Sequence, residues 1–70
     1  MTIKNMKIVH LEIPTMTRLH KQLEVTNSIK ALGVIAIATE SGKAAVTCED
    51  DMLKVEIIRA VENAGYIVRY

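Results

Sequence analysis

The first segment of the chain alternates between apolar and polar residues. Over residues 7–13, Val9 and Leu11 point to one side of an extended chain, and His10 and Glu12 point to the other. This period of two predicts a half-buried β-strand, because successive side chains of a strand face opposite sides of its sheet. His10 and Glu12 are expected on the exposed side.

The period changes after Pro14, which cannot extend the strand because it has no backbone N–H. From about Thr17, apolar and small residues recur at the spacing of a helix with one buried side. Gly33 is expected to end this first helix. Its predicted buried stripe consists of Val25, Ser28, Ile29 and Leu32.

Two short strands and a tight turn follow the first helix. Residues 34–39 are β-branched or small, and residues 44–48 form a return strand with Ala44 and Val46 facing inward. The four residues between the strands favour a hairpin turn, in which Gly42 is available for a positive φ.

A second helix and a last strand complete the predicted order. The acidic residues 49–51 are expected to cap a helix over residues 52–64, because carboxylates stabilise the positive end of a helix. Gly65 is expected to stop this helix, and residues 66–70 are expected to form the final strand. The predicted apolar face of the helix consists of Leu53, Ile57, Ala60, Val61 and Ala64.

The order of elements is therefore strand, helix, strand, strand, helix, strand. This order predicts an α+β, ferredoxin-like βαββαβ sandwich with a four-stranded antiparallel sheet and two helices on one face. The other face of the sheet is expected to be open to solvent. Seventy residues accommodate one small domain, residues 1–70.

Composition and charge narrow the range of possible functions. A net charge of +1 and only two aromatic residues disfavour a nucleic-acid partner. No apolar run approaches the ~18 residues of a membrane span, and the charged N-terminus is unlike a signal peptide. The single cysteine fits a reducing compartment. We therefore expect a cytoplasmic protein without a membrane partner. Without a motif typical of catalysis, we expect no enzyme activity and no cofactor.

Two segments carry a resemblance to a known family. Residues 14–21 read PTMTRLHK at the start of the first helix, and residues 56–66 read EIIRAVENAGY at the end of the second. Together with the apolar rhythm between them, they resemble the heavy-metal-associated domain. This is the fold of small bacterial copper chaperones and of the N-terminal modules of metal-exporting ATPases. The resemblance covers nearly the whole chain and implies the βαββαβ fold and a role related to metal transport.

The sequence departs from this family at the metal-binding motif, G-M-T-C-x-x-C. Met16 and Thr17 match the methionine and threonine, Thr15 replaces the glycine, and Arg18 and Lys21 occupy the two cysteine positions. In the family the two thiolates bind a soft cation such as Cu(I). Two cations at the positive end of a helix would repel a metal ion and favour an anion or an acidic partner.

Four residues that could be considered for a metal site are expected to have structural or surface roles instead. Met16 is expected to pack beneath the loop, and His20 to lie on the surface. Tyr66 corresponds to an aromatic residue that flanks the metal site in bacterial copper chaperones, and here it is expected to cap the core with its hydroxyl in solvent. Cys48 is expected at the opposite pole, as a small residue at the edge of the core.

Leu19 and Leu23 form a candidate contact patch. They are four residues apart, and the register of Val25 and Ile29 directs them away from the sheet. Two adjacent exposed leucines beside a basic loop favour contact with a protein. The alternative is that the first turn is irregular and that Leu19 folds inward.

Three functions remain open. The first is a docking domain that binds a protein partner at the first-loop pole and has no tight thiolate metal site. The second is a variant Cu or Ag site using Met16 and His20, with or without ligands from a partner, so metal binding itself stays open. The third is a regulatory domain that binds a small ligand and dimerises. The candidate loop consists of Met16, Thr17, Arg18, His20, Lys21 and Tyr66.

Overall fold

The computed structural model describes residues 5–69, which form two helices and one antiparallel sheet. The strands lie in the order β1-β3-β2, so that β3 is central. The elements in chain order are β1 (Met6–Glu12), α1 (Leu19–Lys30), β2 (Ala36–Glu40), β3 (Lys43–Glu49) and α2 (Lys54–Asn63). None of the helices in this part of the chain is both long and apolar enough to cross a membrane.

The inward face of the sheet is the one that the alternating pattern predicts. Val9 lies opposite Val46, and Leu11 lies opposite Ala44. All four side chains are buried, whereas His10 on the same strand is exposed. The two helices pack on this inward face and share its core, so within residues 5–69 the other face of the sheet is open, as expected.

Both predicted helices exist, but their starts differ from the prediction. The predicted acidic cap of α2 was wrong, because the N-cap residue is Leu53 and makes no side-chain hydrogen bond. The Met52 N–H donates to the Glu49 carbonyl at 3.0 Å, so residues 49–52 turn the chain away from β3 before the helix begins. Leu53 is consequently 59% exposed, and Ile58 lies in the core instead.

The buried stripe of α1 is shorter than predicted. Val25 and Ile29 are fully buried and Ser28 is half-buried, as expected. Leu32 lies beyond the last helical residue, Lys30, and is exposed. The helix therefore contributes two aliphatic side chains to the core, because the chain leaves the helical path before the third.

The predicted fourth strand is reduced to one bridge within residues 5–69, so the sheet described there has three strands. The Arg69 N–H donates to the Glu12 carbonyl at 2.8 Å, which places the end of the chain beside β1 in an antiparallel sense. The next hydrogen-bonded pair would join Pro14 and Ile67, and proline has no N–H to donate. Residue 70, the end of the predicted strand, lies outside the described residues.

Candidate functional site

The first loop and the hairpin meet at one pole of the domain, as the topology predicts. The Ile13 N–H donates to the Gly42 carbonyl at 2.9 Å, and the Gly42 N–H donates to the Met16 carbonyl at 2.8 Å. Gly42 adopts a φ of +77°, which favours glycine at the turn. These bonds hold the loop over residues 13–16 against the hairpin and fix where α1 begins.

Met16 is a core residue. Its side chain is fully buried in the same cluster as Ile13 and Tyr66. The predicted packing beneath the loop is confirmed. The thioether therefore anchors the loop from below, and it would have to leave the core to meet a ligand in solvent.

The polar residues at the start of α1 lie on the outer side of the loop. Arg18 is exposed and is the N-cap residue of α1, His20 is exposed in the first turn, and Lys21 is half-buried. Thr17 precedes them and is also exposed. The first turn of α1 contains no acidic residue, and its N-cap makes no side-chain hydrogen bond. The positive end of the helix dipole is therefore reinforced by side-chain charge and is not offset within the turn.

Tyr66 connects the second half of the domain to the first helix. Its ring is buried, as predicted. Its hydroxyl was expected to reach solvent, but it donates a hydrogen bond to the Glu24 Oε2 at 2.9 Å. Burial, together with this hydrogen bond and the negative charge of Glu24, raises the pKa of Tyr66 above its ordinary value of 10.0. Sequence analysis missed Glu24 because 42 residues separate the partners and no local pattern links them.

Leu19 and Leu23 form the exposed patch that the helical register predicts. Leu19 is 77% exposed and Leu23 is 61% exposed, so the first turn does not fold inward. Both belong to α1, and Leu19 is adjacent in sequence to Arg18. Aliphatic and positively charged groups thus share one surface at the start of the helix.

The donor atoms at this pole do not fit a thiolate site for a soft metal. Cys48 is fully buried and lies opposite Lys7 in the sheet, at the far end from the Glu12–Lys43 pair beside the hairpin. In the part of the chain that the structure describes, no three His, Cys, Asp or Glu side chains are grouped to hold a metal ion. Soft metals select sulfur ligands, and the loop offers none on its surface.

Comparisons with known proteins identify the fold. Neither protein-family models nor curated proteins match the sequence. Among solved structures, the chain is similar to oxidized MerP from Ralstonia metallidurans CH34, with a TM-score of 0.82 and 25% identity over 93% of this chain and 96% of that one. It is also similar to a protein described as the "putative copper-ion-binding protein" from Bacillus anthracis str. Ames, with a TM-score of 0.82 and 22% identity over 96% and 100% of the two chains. The fold is of the expected heavy-metal-associated type.

Proposed function

We propose that the chain is a docking domain of the heavy-metal-associated type, which binds an acidic protein partner through its first-loop pole. The observation that carries the proposal is a retained scaffold with Arg18 and Lys21 at the positions where the resembled family has cysteines. Arg18 is exposed and Lys21 is half-buried, so both charged groups are available to a partner. The proposal includes no catalytic role and no cofactor.

Electrostatics supports an anionic partner over a metal cargo. At about 4 Å a pair of like charges costs about 1 kcal/mol in bulk water and about 4 kcal/mol at the effective dielectric of a protein surface. Two cations would therefore oppose a monovalent metal ion by about 2–8 kcal/mol before their flexible side chains swing away. The same fields attract a carboxylate, and the free N–H groups of the α1 start add to that attraction.

The exposed leucines supply the second component of a docking surface. Charged groups at the rim of an interface steer association and fix its register, whereas buried apolar contacts supply much of its affinity. Leu19 and Leu23 lie about one turn apart on the same side of α1, and Leu19 directly follows Arg18. A partner that presents carboxylates around aliphatic side chains would complement this surface.

Binding of Cu or Ag by Met16 and His20 is the competing proposal. A fold neighbour described as copper-ion-binding supports it. The complete burial of Met16 counts against it, because the thioether and the exposed His20 lie on different sides of the loop surface. A small-ligand regulatory function has no comparable support at this pole.

A competition titration with Cu(I) and a chromophoric chelator tests the metal part of the proposal. We expect that the chain does not remove Cu(I) from a chelator of moderate affinity. Tight binding of one equivalent of Cu(I) by the chain would contradict the proposal. Addition of Ag(I) should leave the NMR signals of the Met16 methyl group and the His20 ring in place. Saturable shifts of both signals would instead favour the competing site.

Peptide titrations test the docking part. The probe is a peptide that alternates glutamate and leucine, and its control carries lysine in place of each glutamate. We expect amide shifts centred on residues 18–23 with the acidic peptide and none with the basic peptide. The variant Arg18→Glu/Lys21→Glu should reverse this preference. Equal response to both peptides would show that charge does not select the partner.

A further inference from the structure

Four charged side chains form an in-register row across the open face of the sheet. The register places Lys43 opposite both Glu12 on β1 and Glu40 on β2. The terminal bridge places Arg69 opposite Glu12 on the other side. Read across the sheet, the row is Arg69, Glu12, Lys43, Glu40, so its charges alternate. All four residues are exposed.

The two rows next to this one carry no carboxylate, lysine or arginine side chain and contain a shallow basin, whereas Glu49 lies on the same face at its far end, opposite Met6. The row bounds a space of about 770 Å³ whose lining includes His10, Ala38 and Ala45. One step further along the strands, Ile8 lies opposite Thr47 and is 59% exposed. The open face therefore presents aliphatic surface beneath an ordered set of charges.

An alternating row with an even number of charges is complementary to itself. A two-fold axis parallel to the strands reverses the row of a second copy, so that Arg69 meets the second copy's Glu40 and Glu12 meets its Lys43. All four facing pairs then have opposite charge. Without Arg69 the same axis would still pair Glu12 with Lys43 but would leave Glu40 of each copy without a facing cation. The bridge that positions Arg69 thus completes the complementarity.

The same axis also matches the shapes of the apolar rows. It passes between β1 and β3, so the larger side chains of β1 meet the smaller side chains of β3 in the other copy. His10 then faces Ala45, and Ile8 faces Thr47. Such alternation of large and small residues lets two sheets interdigitate at a separation of about 10 Å.

We propose that the open face of the sheet binds a second copy of this chain in a symmetric, face-to-face dimer. The three strands give a footprint of at most about 14 Å by 23 Å, or roughly 330 Å² per copy, to which the Arg69 side chain adds at the edge. The total for two copies lies below the range of stable specific interfaces, so the dimer is weak. This surface is separate from the proposed docking surface on α1.

Charge-swap variants provide the decisive experiment. Lys43→Glu places glutamate against Glu12 of the second copy, and Glu12→Lys places lysine against Lys43. We expect each variant to self-associate at least about tenfold more weakly than the parent. An equimolar mixture of the two should associate within about threefold of the parent, because all facing charges are again opposite. Sedimentation equilibrium from about 10 μM to 1 mM measures both results.

A second pair of variants and a surface control keep the result interpretable. Arg69→Glu and Glu40→Arg each place like charges at the outer ends of the row, and a mixture of the two restores opposite charges. This pair replaces the first pair if either of the first two variants fails to fold. Leu19→Ser, on the proposed docking surface, should leave self-association unchanged. A chain that stays monomeric at 1 mM would overturn the proposal, because the open face would then not bind a second copy. A dimer that both charge variants tolerate, or that Leu19→Ser disrupts, would overturn it as well.

Discussion

The double substitution Arg18→Cys/Lys21→Cys tests whether the first loop keeps the geometry of a metal-binding loop. We expect a folded variant that binds one Cu(I) far more tightly than the parent. Arg18 is exposed with extended backbone at the N-cap, and Lys21 is half-buried in the first turn. Substitutions at such positions usually change the free energy of unfolding by no more than about 0.5 kcal/mol. Removing the aliphatic stem of Lys21 should lower it by a further small amount, because the packing of that stem is lost.

The expected gain in affinity has a geometric and an electrostatic part. Position 18 is the N-cap and position 21 lies in the first turn of α1, so two cysteines there would present both sulfurs at the start of the helix. The helix end also lowers the pKa of both thiols and favours the thiolates that bind soft metals. Loss of the two cations also removes a repulsion of about 2–8 kcal/mol before side-chain relaxation, so this part raises the affinity further.

The assay is the chelator competition described above, carried out anaerobically with a reductant that does not bind copper. Each single cysteine variant is a matched control, and each should bind Cu(I) more weakly than the double variant because it supplies one thiolate. The substitution of threonine for the family glycine at position 15 introduces no left-handed backbone, since no non-glycine residue among 5–69 has a positive φ. A double variant with the affinity of the parent would therefore refute the alignment of Met16 through Lys21 with the metal-binding motif.

Three further measurements test the packing around this pole. Met16→Ala should lower the free energy of unfolding by about 2–5 kcal/mol in chemical denaturation, because the side chain is fully buried, whereas Met16→Leu should cost under about 1.5 kcal/mol. Gly65→Ala should cost about 1 kcal/mol from its φ of +94° alone, because an added Cβ meets no atom within 4 Å; a near-zero cost would contradict the left-handed backbone. In a Tyr70→Phe background, the absorbance titration of Tyr66 should have its midpoint above pH 10.0, and Glu24→Gln should lower it. Because the folded state keeps this proton longer than the unfolded state, stability should fall as the pH rises beyond 10.

The parts of the fold that sequence predicted well are those with a local and repeated pattern. The inward residues of β1 and β3 follow the period of two, and Val25 and Ile29 follow the helical period. Glycine at the hairpin turn was a comparable local signal, because few other residues adopt positive φ. These elements needed no knowledge of distant parts of the chain.

The parts that sequence mispredicted depend on interactions between distant or competing segments. Residues 49–51 have the composition of a helix cap, but the hydrogen bond between Met52 and Glu49 uses them to turn the chain out of β3. The last strand has a suitable composition too, yet its partner edge on β1 ends at Pro14. The hydrogen bond between Tyr66 and Glu24 joins two elements that only the tertiary fold brings together.

The candidate site shows why the fold and the ligand must be argued separately. The loop is held from below by the buried Met16 and from the side by hydrogen bonds to the hairpin, and all of these involve backbone or core atoms. Arg18 is exposed and contributes no part of that support. The chemistry on the outer side of the loop can therefore change while the scaffold stays the same, so similarity of fold supports the loop geometry without fixing its ligand. We therefore expect substitutions at Arg18 and Lys21, on an unchanged core, to distinguish binding of an acidic partner from binding of a soft metal.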